Sequence, residues 1–202
     1  MNGQETEVKF YICDIKRLEA RLVELGASLI QPRVHESNLR FDLPDGSLSA
    51  AGRVLRLRHD DADRLTYKSA SEKQDGVLSR TEIEFTVGDF ESARKFVEAL
   101  GYVQIAVYEK FRTTYELGES HIMLDELPYG GFVEIEGPGV DSIHATATRL
   151  GLRWEAYVAT SYLSLFKRIC AGHQLDPAQL TFAALAGFIP SPEELNVRPA
   201  DD

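Results

Sequence analysis

Cysteine is scarce in this 202-residue chain: Cys13 and Cys170 are the only two. Two are too few for a disulfide framework, and both read as reduced thiols. No run of 18 apolar residues occurs, so no segment reads as a membrane-spanning helix. The opening Met1-Asn2-Gly3-Gln4-Glu5 has neither a basic nor an apolar signal region, which leaves the cytoplasm as the expected location. An excess of positive charge is missing too. Lys and Arg number 22 against 32 Asp and Glu, a net charge of −10 and a pI near 5, which argues against a nucleic-acid surface. An anionic ligand must then be drawn by a local cationic lining. G-x-x-x-x-G-K-[ST] and G-x-G-x-x-G are both absent, which excludes a P-loop or Rossmann nucleotide site at motif level. The five histidines, His35, His59, His121, His144 and His173, have no metal-ligand spacing, and no Ser/His/Asp constellation is legible.

What the chain does carry is charge at two-residue spacing. Glu5, Glu7 and Lys9 share one face of a strand, with Val8 and Phe10 on the other. Arg56 and Arg58 alternate with Leu55 and Leu57, and Lys68 shares a face with Thr66 against Leu65 and Tyr67. Arg80, Glu82 and Glu84 alternate with Thr81, Ile83 and Phe85. Lys110 and Arg112 flank Phe111, Asp125 follows Leu124, and Glu134 and Glu136 alternate with Val133 and Ile135. One face therefore holds seven acids and seven bases.

A wet sheet face mixes its charges for solubility. Here the charges cluster by sign within each strand, which sets like charges about 6.5–7 Å apart. Such pairs are unfavourable unless an ion or an opposite partner lies between them. Rows of carboxylates suit a hard divalent cation with oxygen ligands. Rows of Arg and Lys suit a phosphate chain. The two together predict a metal–polyphosphate site. If the sheet closes into a barrel, the charged face becomes the lumen, no edge stays exposed, and amphipathic helices cover the apolar outside.

Seven ordered motifs then resemble one family: E-x-E-x-K (Glu5, Glu7, Lys9), L-R-L-R at 55–58, T-x-K at 66–68, E-x-E at 82–84, E-K-x-R at 109–112, L-D at 124–125 and G-x-F-V-E-I-E at 130–136. Over roughly residues 4–170 the chain resembles the CYTH superfamily, the triphosphate tunnel metalloenzymes. F-D-x-P-D-G-x-L at 41–48 and G-F-V-E-I-E-G-P at 131–138 are most similar to its class IV adenylate cyclase branch. Arg40 departs from the pattern, standing where the resemblance leads one to expect an aromatic, and adds a base near the tunnel entrance.

The resemblance implies an α+β, mainly antiparallel fold: a closed eight-stranded β-barrel tunnel with a charged lumen and helices packed outside. It implies that Glu5, Glu7, Asp125, Glu134 and Glu136 hold Mg2+ or Mn2+. Lys9, Arg56, Arg58, Lys68, Arg80, Lys110 and Arg112 would cradle a triphosphate. Lys9, Glu82 and Glu84 form the catalytic set, the lysine neutralising charge at the reacting phosphorus and the glutamates holding a second metal or orienting the nucleophile. Two reactions suit that lining: hydrolysis of tripolyphosphate or a nucleoside or organic triphosphate, which the shared cradle favours, and cyclisation of ATP to cyclic AMP and pyrophosphate. A phosphate-binding module without turnover is a further alternative, and the run of acids speaks against it. The expected partner is a triphosphate-containing small molecule, with no nucleic acid and no membrane, and a homodimer stays open.

Along the chain, Asp14 and Asp89 cap helices that stop at Gly26 and Gly101. Asp141 opens a third helix to about Leu150, and a fourth runs near 160–169. Strands are expected near 36–43, 53–60, 63–70, 78–87, 103–117, 119–127 and 131–137, with 69–76 a mobile loop at the barrel mouth. Residues 1–171 read as the tunnel domain, with Trp154 and Tyr157 serving its core. The 172–202 appendage is broken by Pro177, Pro190, Pro192 and Pro199 but carries Leu180, Phe182, Leu185 and Phe188, so it is expected to pack on the domain or on a partner subunit.

Overall fold

In the computed structural model, which describes residues 3–202, the alternating segments pair side by side until the last meets the first. The strands are β1 (Gln4–Ile12), β2 (Ser28–Asp42), β3 (Val54–His59), β4 (Asp63–Lys68) and β5 (Glu72–Gln74). They continue as β6 (Val77–Thr86), β7 (Val103–Leu117), β8 (Ser120–Leu127), β9 (Gly130–Glu136) and β10 (Gln179–Leu180). Eight of them form a ring in the order β1-β9-β8-β7-β2-β3-β4-β6, and β6 returns to β1 through Glu5 opposite Arg80. Every pairing within the ring is antiparallel. The short β5 hangs on β6, and β10 lies parallel to β7.

Strand β2 begins at Ser28, well before the alternation becomes regular. Its register against β7 shifts twice between Leu29 and Val34, around Pro32. Proline cannot join a ladder and is confined to bulges and edges, so this half of the strand has no clean period. The 69–76 segment is a hairpin arm rather than a free loop. Asp75 and Gly76 both have positive φ, 48° and 84°, as a primed two-residue turn requires. A Cβ at Gly76 would lie 2.6 Å from the Tyr157 ring, so this hairpin rests directly on that aromatic. Tyr157 is accordingly a surface residue, and only Trp154 of the two packs against the core.

Helices α1 (Ile15–Glu24), capped by Asp14, and α4 (Val140–Arg149) lie outside the ring. Leu18 and Leu22 of α1 and Ile143 and Ala147 of α4 join Val8, Phe10, Ile122, Leu124, Val133 and Ile135 on the apolar outer face. The α4 helix starts after Gly139, two residues earlier than an Asp141 cap would allow, and Asp141 sits in its first turn. After the short α2 (Ser47–Ala50), α3 (Phe90–Ala99) covers Phe41 and Leu57 through Val97. The fourth expected helix is α5 (Tyr162–His173), capped by Ser161, and the short α6 (Pro192–Leu195) has a capping box from Ser191 and Glu194. No helix is long and apolar enough to cross a membrane.

At one end of the ring the inward face changes character. The series Glu5, Glu7, Lys9 ends in Tyr11, the pair Glu136 and Glu134 ends in Phe132, and Asp125 gives way to Leu127. Tyr11, Phe132 and Leu127 belong to one buried cluster with Tyr162, Phe166 and Ile169 of α5 and with Leu180, Leu185 and Leu195. The α5 helix and the final residues thus cover this end. Beyond Glu7, β6 no longer pairs with β1, and other backbone takes its place. The Val158 amide donates to the Lys9 carbonyl at 2.7 Å and the Ala200 amide to the Tyr11 carbonyl at 2.9 Å. The Asp201 carboxylate then accepts from the amides of Cys13 and Asp14 at 2.8 and 2.9 Å.

Candidate active site

The ring interior holds a cavity of about 240 Å³. Thirteen of the fourteen residues singled out from the sequence line it: Glu5, Glu7, Lys9, Arg56, Arg58, Lys68, Arg80, Glu82, Glu84, Lys110, Arg112, Glu134 and Glu136. Asp125 lies behind the wall, fully buried. A second cavity of about 510 Å³ shares Arg58, Glu84, Arg112, Met123 and Glu136 with the first, is lined also by Glu36, and opens past Ile30, Thr114 and His121. His121 is half-exposed there, 3.7 Å from Glu116.

The charges interlock across strands. Lys9 meets Glu134 at 2.8 Å, Lys68 meets Glu5 at 2.5 Å and Arg80 meets Glu5 at 2.7 Å. Arg56 and Arg58 converge on Glu84 at 3.4 and 3.0 Å. Asp125 is the most heavily used acid. It accepts from Lys110 Nζ at 3.0 Å, from Arg112 Nε and Nη2 at 2.6 Å each, and from the Tyr162 hydroxyl at 2.7 Å. Arg112 also pairs with Glu134.

This network sorts the carboxylates into two groups. Burial pushes Glu5 and Glu36 up, but neighbouring cations overcome it and hold both at about 2: Lys68 and Arg80 for Glu5, Lys110, Arg112 and Arg58 for Glu36. Burial is likewise outweighed at Glu134 by Lys9 and Arg112, and at Glu84 by Arg58, Thr66 and Arg56, so both lie below the ordinary carboxylate range. Glu7, Glu82 and Glu136 lie above it. Burial raises all three, reinforced by Glu134 and Glu5 at Glu7, by Glu5 at Glu82, and by Glu5 and Glu82 at Glu136. Glu7 and Glu136 face each other across β1 and β9, and Glu136 has no ion pair among the described residues. These are the carboxylates that an added cation would favour most.

All the donors are hard oxygens, which fits Mg2+ or Mn2+. No three of the inward carboxylates have oxygens within 4.8 Å of one another, because each group of low-lying acids turns toward its bases. Among the described residues the one such trio is Cys13, Asp201 and Asp202, where Asp201 is already occupied by two amides.

Several residues in the cavity wall were not among those singled out. Glu36, buried on β2, lies 3.4 Å from Lys110 and 3.8 Å from Arg112, and its alternation with Asn38 and Arg40 is readable in the sequence once β2 is placed. Tyr108, two residues before Lys110, accepts from Arg56 at 3.3 Å, and this alternation was equally available. Tyr162 carries no such signal, because it comes from the first turn of a helix. Its ring lies 4.2 Å below Lys9 Nζ.

A sequence profile of the CYTH domain matches residues 3–149. Adenylate cyclase CyaB of Aeromonas hydrophila is 27% identical over 173 residues, 80% of this chain and 87% of that protein. A candidate adenylate cyclase from Vibrio parahaemolyticus superposes with a TM-score of 0.72 at 21% identity, covering 82% of this chain and 99% of that one. A Hippeastrum protein whose structure is reported with a dominant triphosphatase activity superposes with a TM-score of 0.60 at 19% identity, covering 86% and 98%. The ring order, the inward charges and the match over residues 3–149 lead to one conclusion: the chain belongs to the CYTH domain family.

Proposed function

We propose that the ring works as a β-barrel tunnel in which a linear triphosphate is hydrolysed with Mg2+ or Mn2+. The observation that carries this reading is the row of seven cations facing one cavity, each held by a carboxylate that an anion could replace. Phosphoryl transfer needs positioning and charge neutralisation more than covalent chemistry. Arg56, Arg58, Lys110 and Arg112 bind non-bridging oxygens, Lys68 and Arg80 extend the cradle, and Lys9 neutralises charge at the reacting phosphorus. Glu82, the raised acid beside Lys68, accepts a proton from the water that attacks the terminal phosphorus as the P–O–P bond breaks, giving orthophosphate with pyrophosphate as the leaving group. Glu84 stays ionised and anchors the two arginines of β3.

Glu7 and Glu136, with Glu134 and Glu5, would hold the ion, which supplies a water of lowered pKa and charge neutralisation at the leaving oxygens. Asp125 we assign to positioning, because its two oxygens already take four hydrogen bonds. Cyclisation of ATP is the second reading, favoured by the Aeromonas relative's description as an adenylate cyclase. The triphosphatase activity reported for the Hippeastrum protein supports hydrolysis. So does the wall itself, which offers phosphate ligands on most strands and confines the surface for a base to Val54, Met123, Leu163 and the rings of Tyr108 and Tyr162.

Phosphorus NMR of the reaction with tripolyphosphate and with ATP, plus Mg2+ or Mn2+, separates the outcomes. Hydrolysis gives orthophosphate from tripolyphosphate. Pyrophosphate with a cyclic nucleotide and no turnover of tripolyphosphate would make the cyclase reading correct instead.

Glu136→Gln and Glu134→Gln distinguish an unpaired ligand from one that also anchors two bases. Glu136→Gln removes an unpaired acid and is expected to abolish metal-stimulated turnover with denaturation midpoint unchanged or higher. Glu134→Gln strands Lys9 and Arg112 in the interior and is expected to lose activity together with about 3–5 kcal/mol of stability. Equal destabilisation by both variants would contradict the sorting.

The same sorting fixes a pH order. Glu5 and Glu36 lie near 2 against 4.5 for an ordinary glutamate. Their ion pairs therefore stabilise the fold fully above pH 4.5 and are lost as pH falls from there toward 2. Glu7 and Glu136 are raised, so protons compete with the metal already above pH 4.5. Metal binding followed by calorimetry is expected to fail at a higher pH than the fold followed by circular dichroism. Simultaneous loss would contradict the assignment.

A further inference from the structure

Eight cations line the ring cavity, and seven of them lie within 3.4 Å of a carboxylate oxygen. The eighth is Arg40 of β2. Among the described residues it makes no ion pair and no side-chain hydrogen bond, and its Nε is buried without a partner. It stands directly across from Arg56 in the β2–β3 ladder, so two guanidinium groups are neighbours. Burial, with Arg56 and Arg80 close by, pushes the Arg40 pKa down. A guanidinium taken from water without a counter-charge is unfavourable unless something outside the chain supplies one.

The position of Arg40 says where that charge must lie. Val54, Ser161 and Leu163 line the cavity with Arg40 but are absent from the opening past His121, so Arg40 belongs to the end beside α5. The paired cations of β7, Lys110 and Arg112, lie along the ring toward that opening, opposite Glu36 and Val34 of β2, whereas Arg40 faces Ala106.

On the reading that the paired cations cradle three phosphates, we infer that Arg40 receives a further oxyanion, the fourth phosphate of a linear inorganic polyphosphate. The guanidinium fork suits that group, since it can donate two parallel hydrogen bonds to one phosphate. A nucleoside triphosphate would bring a neutral sugar and base to the same place and leave the cation unpaired. Arg40 then selects substrate through an unfavourable contact with the wrong one as well as a favourable contact with the right one.

Calorimetric titration of the full chain with tetrapolyphosphate, tripolyphosphate and ATP, all without metal, tests this apart from turnover. The wild type is expected to bind tetrapolyphosphate about tenfold or more tighter than tripolyphosphate. Arg40→Gln should remove that difference while leaving tripolyphosphate affinity within about twofold, and Arg40→Lys should restore part of it. Thermal unfolding of Arg40→Gln should show no loss of stability, because no partner is stranded. Equal wild-type affinity for the two polyphosphates, tighter binding of ATP, or a parallel loss of both affinities in Arg40→Gln would overturn the role of Arg40 and leave the cradle standing. Failure of the wild type to bind either polyphosphate would overturn both.

Discussion

Charges turned inward from eight strands must neutralise one another, and the rest of the molecule is arranged to let them do so. An ion removed from water loses several kcal/mol of solvation unless good geometry repays it. Single pairs would not suffice here, so the side chains share partners. Asp125 serves two bases and a phenol, Glu5 serves two bases, and Glu84 serves two arginines. Sharing of this kind needs strands on all sides, which a closed ring supplies and an open sheet does not. The apolar outer face, the helices laid on it and the switch from charged to aromatic side chains near α5 all follow from that closure.

Much of this was legible because a strand's period is two and five of the eight ring strands carry a pair of like charges at that spacing. Lys9, Arg56, Arg58, Lys110 and Glu134 could be placed on one face without knowing which strands were neighbours. The sequence could not reveal which base each acid meets, because that depends on ring order: Glu5 and Lys68 are 63 residues apart and 2.5 Å apart in space. The first half of β2 was hidden by the bulge around Pro32, whereas Glu36 lies beyond it in the expected 36–43 strand, where its alternation with Asn38 and Arg40 was legible. Tyr162 was hidden for a different reason. A residue that enters the site from a helix end leaves no period to detect.

On the proposed function, the pairing also explains how one lining serves a cation and an anion together. A phosphate chain that takes Arg56, Arg58, Lys68 and Arg112 leaves their carboxylates without counter-charge, and a divalent ion restores it. The carboxylates already short of cations, Glu7 and Glu136, set where that ion is most favoured. Arg40 is the mirror case, a cation short of an anion.

Such an exchange makes the two ligands energetically dependent, and the dependence must be reciprocal. The most direct measurement is Mg2+ or Mn2+ affinity, by calorimetry, with and without saturating tripolyphosphate on a timescale shorter than turnover. The account predicts that tripolyphosphate tightens metal binding by about fivefold or more after correction for metal held by free polyphosphate, and that the metal tightens tripolyphosphate binding by the same factor. Independent binding of the two would contradict it.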